Sequence, residues 1–268
     1  MIVRLSDSND SATYGGKASH LGEAIRAGLP VPPGYALSVE ALADIARGDR
    51  ALRARVEEIC AELGFPLAAR SSAIGEDSAD ASFAGQHATV LNIISTGALI
   101  AGLCDVHRSA HSEGAVAYRK RKGIEGPIRI AAVVQKLVEP RCAGVMFTRH
   151  PLTGADELVI EAAWGLGEAV VQGMVTPDHY RLSRDGGLLE ERPGDKPTAI
   201  RCAPGGGTEE TELTPDLAER ACLEADDLAH LADLAHRCEA VFGRRLDIEW
   251  AFADGALYLL QTRPITTR

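Results

Sequence analysis

The chain has 268 residues, 46% hydrophobic and 25% charged, an ordinary globular composition with enough apolar residues to bury a core. A formal net charge of -10 argues against a nucleic-acid or anionic-membrane surface, because those phosphates are held by clustered Lys and Arg. Any phosphate ligand must instead be met by a few placed cations and backbone amides.

Arg4, Asp7, Asp10, Lys17, Glu23 and Arg26 interrupt the N-terminal stretch, so it holds no apolar signal core, and no run approaches a membrane span. The six cysteines, Cys60, Cys104, Cys142, Cys202, Cys222 and Cys238, show neither a C-x-x-C pair nor zinc-finger spacing to histidine. They are expected as reduced thiols of a cytoplasmic protein.

In chain order, Tyr14-Gly15-Gly16-Lys17 leads into an amphipathic helix predicted over 17–27. This places Lys17 at the positive end of a helix dipole, which is unfavourable unless an anion faces it. A second helix is predicted over 51–63 and a strand over 66–70. The strand runs into Ala69-Arg70-Ser71-Ser72-Ala73 and a loop of small and hydroxyl residues, whose amides and hydroxyls suit a polyphosphate. Composition alone equally allows a plain surface loop, but it does not explain Phe83 in so polar a segment. Further strands are predicted at 88–94, 128–138, 142–148, 157–163 and 178–183, with a helix over 96–121 between the first two. Gly165, Gly167 and Gly173 point to a tight turn where a ligand or another backbone comes close. Glycine and proline at 192–207 predict a flexible surface connection. Thr214-Pro215-Asp216 then opens a long helix over 215–241.

The last two strands, 245–252 and 256–262, meet at Asp254-Gly255 and form an antiparallel hairpin, which excludes a purely parallel sheet. Alternation puts Asp247 and Glu249 on one face, with Leu246, Ile248 and Trp250 on the other. By the same alternation Leu257, Leu259, Gln261 and Arg263 share a face of the partner strand. Two acids on a core-like strand are costly to bury unless a cation meets them, and oxygen ligands suit magnesium. The alternative is a solvent-facing hairpin edge. A two-residue Asp254-Gly255 turn would pair Glu249 with Leu260 and send Gln261 to the opposite face. A shared cation site therefore predicts a three-residue loop with Gly255 left-handed, or a bulge of equivalent effect.

Taken in order, Gly15-Gly16-Lys17, Val31-Pro32-Pro33-Gly34, Ala69-Arg70-Ser71-Ser72-Ala73, Ser82-Phe83-Ala84-Gly85-Gln86, Gly144-Val145-Met146-Phe147-Thr148, Trp164-Gly165-Leu166-Gly167-Glu168, Pro177-Asp178, Asp247-Ile248-Glu249-Trp250 and Gln261-Thr262-Arg263-Pro264 carry a family resemblance. They resemble the N-terminal nucleotide domain of the phosphoenolpyruvate synthase, pyruvate phosphate dikinase and rifampin phosphotransferase family. The resemblance implies an α+β, ATP-grasp-like fold: two lobes, 1–134 and 135–268, with mixed or antiparallel sheets and the nucleotide site between them. It implies ATP and Mg2+ as ligands. Lys17 and Arg70 would contact phosphates, and Ser82, Phe83, Ala84, Gly85 and Gln86 would close over them. The segment Gln135 to Glu139, including Leu137, would hold adenine through backbone groups, with Glu139 reaching ribose. Glu161 is a further nucleotide-binding candidate, Glu249 and Gln261 are the magnesium ligands, and Arg263 steadies the transferring phosphoryl group.

Relative to that family, the swivelling histidine domain and the pyruvate-binding domain are not expected within this length, and the segment between Gly34 and Arg70 is short. His87, His150 and His179 lie near candidate segments, where a surface or supporting role is expected. Two function classes follow. One is an ATP-dependent phosphotransferase component acting on a histidine of a separate protein, with another protein binding the acceptor. The other is a direct small-molecule kinase or ligase, or a non-catalytic nucleotide-binding module.

Overall fold

A computed structural model describes residues 1–74, 88–110 and 129–265. The loop Ser82–Gln86 and the second half of the helix expected over 96–121 lie outside the described residues. Two compact units are present, Met1–Arg26 with Pro32–Leu137 and Ala203–Gly207, and Ala27–Val31 with Val138–Cys202 and Thr208–Arg268. This division differs from a single cut at 134/135, and it puts Gln135 and Leu137 in the first unit.

The first unit holds a five-stranded sheet in which every pairing is antiparallel. Its order is β1 (Ile2–Arg4), β2 (Gly34–Leu37), β5 (Ile130–Lys136), β3 (Leu67–Ala73) and β4 (Thr89–Ile93). Tyr35, Leu37, Leu67, Ala69, Ala132 and Val134 form one face. They pack with Leu42 and Ile45 of α2 (Val39–Arg47), Val56 and Ile59 of α3 (Arg50–Leu63), and Leu99 and Leu103 of α4 (Thr96–Ser109). Side chains start these helices: Ser38, Asp49 and Ser95 accept the amides of Ala41, Leu52 and Ala98. Period-two alternation turns Arg70 and Ser72 to the other face, where α1 (Ser11–Arg26) lies.

The second unit is built on a six-stranded sheet, again antiparallel throughout. Its order is β13 (Ala256–Pro264), β12 (Leu246–Ala253), β6 (Cys142–Phe147), β7 (Leu158–Trp164), β8 (Asp178–Leu182) and β9 (Leu188–Arg192). Ile248, Trp250, Met146, Ile160 and Tyr180 make its buried face. A separate hairpin pairs β10 (Thr198–Cys202) with β11 (Thr208–Glu212), so 192–207 is not wholly a flexible connection. A short helix α5 (Glu168–Val171) follows β7.

The helix expected over 215–241 is two helices, α6 (Pro215–Glu219) and α7 (Ala225–Phe242). Arg220 is extended, and the Cys222 amide is drawn to Asp178 Oδ2 at 2.8 Å. A capping box between Glu224 and Asp227 restarts the helix. Asp178 and Lys196 are both wholly buried and form an ion pair. Asp178 Oδ1 also accepts the Gly194 amide at 2.7 Å, so one carboxylate ties together β8, the 194–196 segment and the α6–α7 break.

Gly144 of β6 has no space for a side chain. An added Cβ would overlap the Glu161 carbonyl oxygen and lie 2.9 Å from Trp250 Cζ2. Gly144→Ala is expected to destabilise the protein by about 1–3 kcal/mol through overpacking, read as a lower urea midpoint. A midpoint equal to that of the parent would contradict this packing.

Candidate functional site

Residues directly opposite in an antiparallel ladder point to the same face. Across the second unit's sheet the register lines up Gln261, Glu249, Val145, Glu161 and His179 in one row. The adjoining row carries Arg263, Asp247, Phe147, Val159 and Arg181. Glu161, Glu249, Gln261 and Arg263 are all half-buried, on the face opposite Trp250 and Ile248.

The hairpin reaches this register by a route that corrects part of the expectation. Asp254 (φ 52°) and Gly255 (φ 74°) do form a two-residue turn, and Ala253 faces Ala256. The pairing then slips between Glu249 and Trp250: Trp250 faces Leu259, but Glu249 faces Gln261. Leu260 is the extra residue of a bulge. It separates Leu259, fully buried opposite Trp250, from Gln261 and Arg263 on the open face, so these residues do not share the face that alternation assigns them.

Arg263 Nε donates to Asp247 Oδ2 at 2.7 Å. Burial pushes the Asp247 carboxyl above its ordinary pKa despite the opposing Arg263 charge, and neighbouring Glu249 adds to the rise. The Glu249 carboxylate opposite the Gln261 amide offers hard oxygen donors, which fit magnesium. Among the described residues no group of three or more His, Cys, Asp or Glu could hold a metal, so water and ligand oxygens would complete its coordination.

In the first unit, Gly15 leaves helical geometry (φ 80°, ψ 164°) because α1 comes hard against β3 there. A Cβ on Gly15 would overlap the Ser72 carbonyl oxygen. The helix restarts beyond it, where the Ala18 amide donates to Ser72 Oγ at 3.1 Å and Lys17 Nζ donates to the Ser71 carbonyl at 3.1 Å. Lys17 is thus a buried cation at a helix start, met by a backbone dipole. Arg70 and Ser72 project on the same side of β3.

Gln135 and Leu137 are engaged inside this unit. Gln135 Nε2 donates to the Pro32 carbonyl at 2.9 Å, bracing the chain just before β2, and the Leu137 amide donates to Pro66 O at 3.1 Å. Leu137 could therefore meet an adenine edge only through its carbonyl. Glu139 is exposed in the second unit; burial pushes the Cys202 thiol pKa up to about 11, and the Glu139 and Glu168 charges add to the rise. Burial raises Glu168 itself, opposed by its bond to Thr208. Gly165 (φ 76°) approaches a backbone, the Ile200 carbonyl, rather than marking a ligand by itself. Asp247 as the partner of Arg263 and the buried Asp178–Lys196 pair were missed. Alternation had placed Asp247 beside Glu249, whereas nothing local ties residue 178 to 196.

Residues 48–268 match the family model described as pyruvate phosphate dikinase, AMP/ATP-binding domain. This chain belongs to that family. The AMP/ATP-binding domain is 34% identical to a probable phosphoenolpyruvate synthase of Methanothermobacter thermautotrophicus, an alignment spanning 97% of the chain and 45% of the relative. It is 33% identical to a rifampicin phosphotransferase of Streptomyces sp, across 100% of the chain and 36% of the relative. The chain thus spans less than half the length of these relatives. A solved D-alanine–D-alanine ligase from Bacillus anthracis complexed with ATP aligns with 97% of the domain and 57% of that chain at 13% identity and a TM-score of 0.42. Among the described residues of the domain, no helix is long and apolar enough to cross a membrane.

Proposed function

We propose that this chain is the ATP-binding component of an ATP-dependent phosphotransferase with an ATP-grasp-like fold. It uses Mg-ATP to phosphorylate a histidine of a separate protein, which hands the group to an acceptor held elsewhere. The balanced reaction is ATP, histidine and water going to phosphohistidine, AMP and phosphate. The observation that carries this reading is the pair of adjoining rows on β12 and β13, Glu249 opposite Gln261 and Asp247 opposite Arg263. A carboxylate and an amide oxygen stand beside a guanidinium, the set that phosphate transfer needs for positioning and charge neutralisation.

Glu249 and Gln261 would hold magnesium, which when bound offsets the charge of the phosphate oxygens. Lys17 and Arg70 would meet phosphate oxygens, Glu139 and Glu161 the nucleoside side, and Arg263 the transferring group. Calorimetry is expected to show ATP binding that disappears on chelation of magnesium. Nucleotide chromatography is expected to show little turnover by the chain alone, and AMP once a histidine carrier protein is added. No binding at millimolar ATP would refute the nucleotide site. Phosphorylation of a small molecule by the chain alone would replace the histidine route with a direct kinase or ligase, and tight binding without turnover in any mixture would leave a nucleotide-binding module.

A further inference from the structure

Asp247 has an unusual position for an acid. Its side chain is only 13% exposed, and its row neighbours on the β6 side are the apolar Phe147 and Val159. One carboxylate oxygen, Oδ2, receives Arg263 Nε at 2.7 Å, while Oδ1 is out of solvent and has no hydrogen-bond partner among the described residues. An exposed ion pair would stabilise little, and a buried carboxylate costs desolvation, so fold stability alone is a poor reason for this residue. The bond does have a geometric consequence. A guanidinium is a rigid plane on a flexible stem, and fixing Nε fixes the plane and the direction of both Nη groups. A charge-assisted bond at this length is strong enough to select one orientation.

We propose that Asp247 is a positioning residue that aims the Arg263 guanidinium, and that it is not a ligand of the cation held by Glu249 and Gln261. The idea rests on the function proposed above for Arg263. It belongs to the second row rather than the first: Asp247 lies opposite Arg263, whereas Glu249 lies opposite Gln261. The carboxylate oxygen not bound to Arg263 is buried, which closes it to a metal arriving from solvent.

The test compares Asp247→Ala, Asp247→Asn and Arg263→Ala, alone and combined. Asparagine keeps an oxygen acceptor for Nε–H and loses the charge. In a 15N spectrum of the arginine Nε–H groups, with the Arg263 signal assigned by its loss in Arg263→Lys, that proton is expected to exchange slowly in the parent and in Asp247→Asn. In Asp247→Ala it is expected to exchange as fast as an exposed arginine. Turnover with the histidine carrier is expected to fall about 10- to 100-fold in Asp247→Ala, the scale of a misplaced group, with ATP affinity and magnesium requirement kept. Asp247→Asn should recover most of that loss, and Asp247→Ala combined with Arg263→Ala should be no slower than Arg263→Ala.

An Arg263 Nε–H signal unmoved in Asp247→Ala would overturn the proposal. So would a raised magnesium requirement in Asp247→Asn, or a double variant slower than Arg263→Ala, since both mark a metal ligand. Failure of the parent chain to bind Mg-ATP would instead refute the function, while the exchange of the Nε–H still decides what Asp247 does.

Discussion

Arg263→Ala is expected to lower turnover about 10²- to 10³-fold while ATP binding changes little, because a guanidinium on the transferring group acts mainly as charge develops in the transition state. The substitution removes the only side chain that faces Asp247 across the hairpin, and it leaves Glu249 opposite Gln261. Arg263→Lys should restore only part of the rate, since an ammonium lacks the planar fork that the Nε bond to Asp247 orients. Single-turnover kinetics beside calorimetry separate the two quantities. Equal losses in binding and turnover would make Arg263 an ordinary binding residue.

Asp178→Ala is expected to destabilise the protein by about 3–5 kcal/mol, the typical cost of leaving one member of a buried ion pair uncompensated. Lys196 has no exposed surface, and its ammonium would keep only the Gly194 carbonyl, at 3.1 Å, of its two bonds. The change also deprives the Gly194 and Cys222 amides of their acceptor. Thermal or urea unfolding reads the loss directly. Replacing both members together with apolar residues of similar volume should cost less than Asp178→Ala, because no charge is then stranded. An Asp178→Ala variant within about 1 kcal/mol of the parent, the usual range of a lost exposed pair, would show that water reaches the Asp178–Lys196 pair.

Local chemistry was legible in the chain. Alternation alone placed Asp247 and Glu249 on one face of β12 and Leu246, Ile248 and Trp250 on the other, and all of them lie so. Of the helix starts, the one read at Thr214-Pro215-Asp216 was legible through its proline, since α6 begins at Pro215, but the Thr214 side chain makes no capping bond there and that helix is only five residues long. Helices α2 and α5 and strands β1, β2, β9, β10 and β11 were not anticipated. Most of these are short; β1 and β2 are held by pairing with distant segments, whereas β9, β10 and β11 sit in local hairpins, and the largely exposed residues of β9 and β11 give little alternation to read.

The face of Gln261 shows where sequence reasoning stopped. Asp254-Gly255 favours a two-residue turn by its own backbone preferences, and the turn forms. Carried along without interruption, that turn would set Glu249 and Gln261 on opposite faces. The bulge at Leu260 resolves the conflict by letting β13 change phase: Leu259 is buried against Trp250 and its amide is bonded to Pro30 O at 2.9 Å, while Gln261 and Arg263 turn to the acids. The same limit applies to the Asp178–Lys196 pair, the Lys17 contact with Ser71, and the break at Arg220 to Glu224. Residue type, strand phase and turn chemistry are properties of neighbours along the chain, so the sequence by itself determined the family, the acids of β12 and the Asp-Gly turn. Which residues change phase, and which distant charges meet in a dry interior, depends on the burial of all layers at once, and only the tertiary structure decided them.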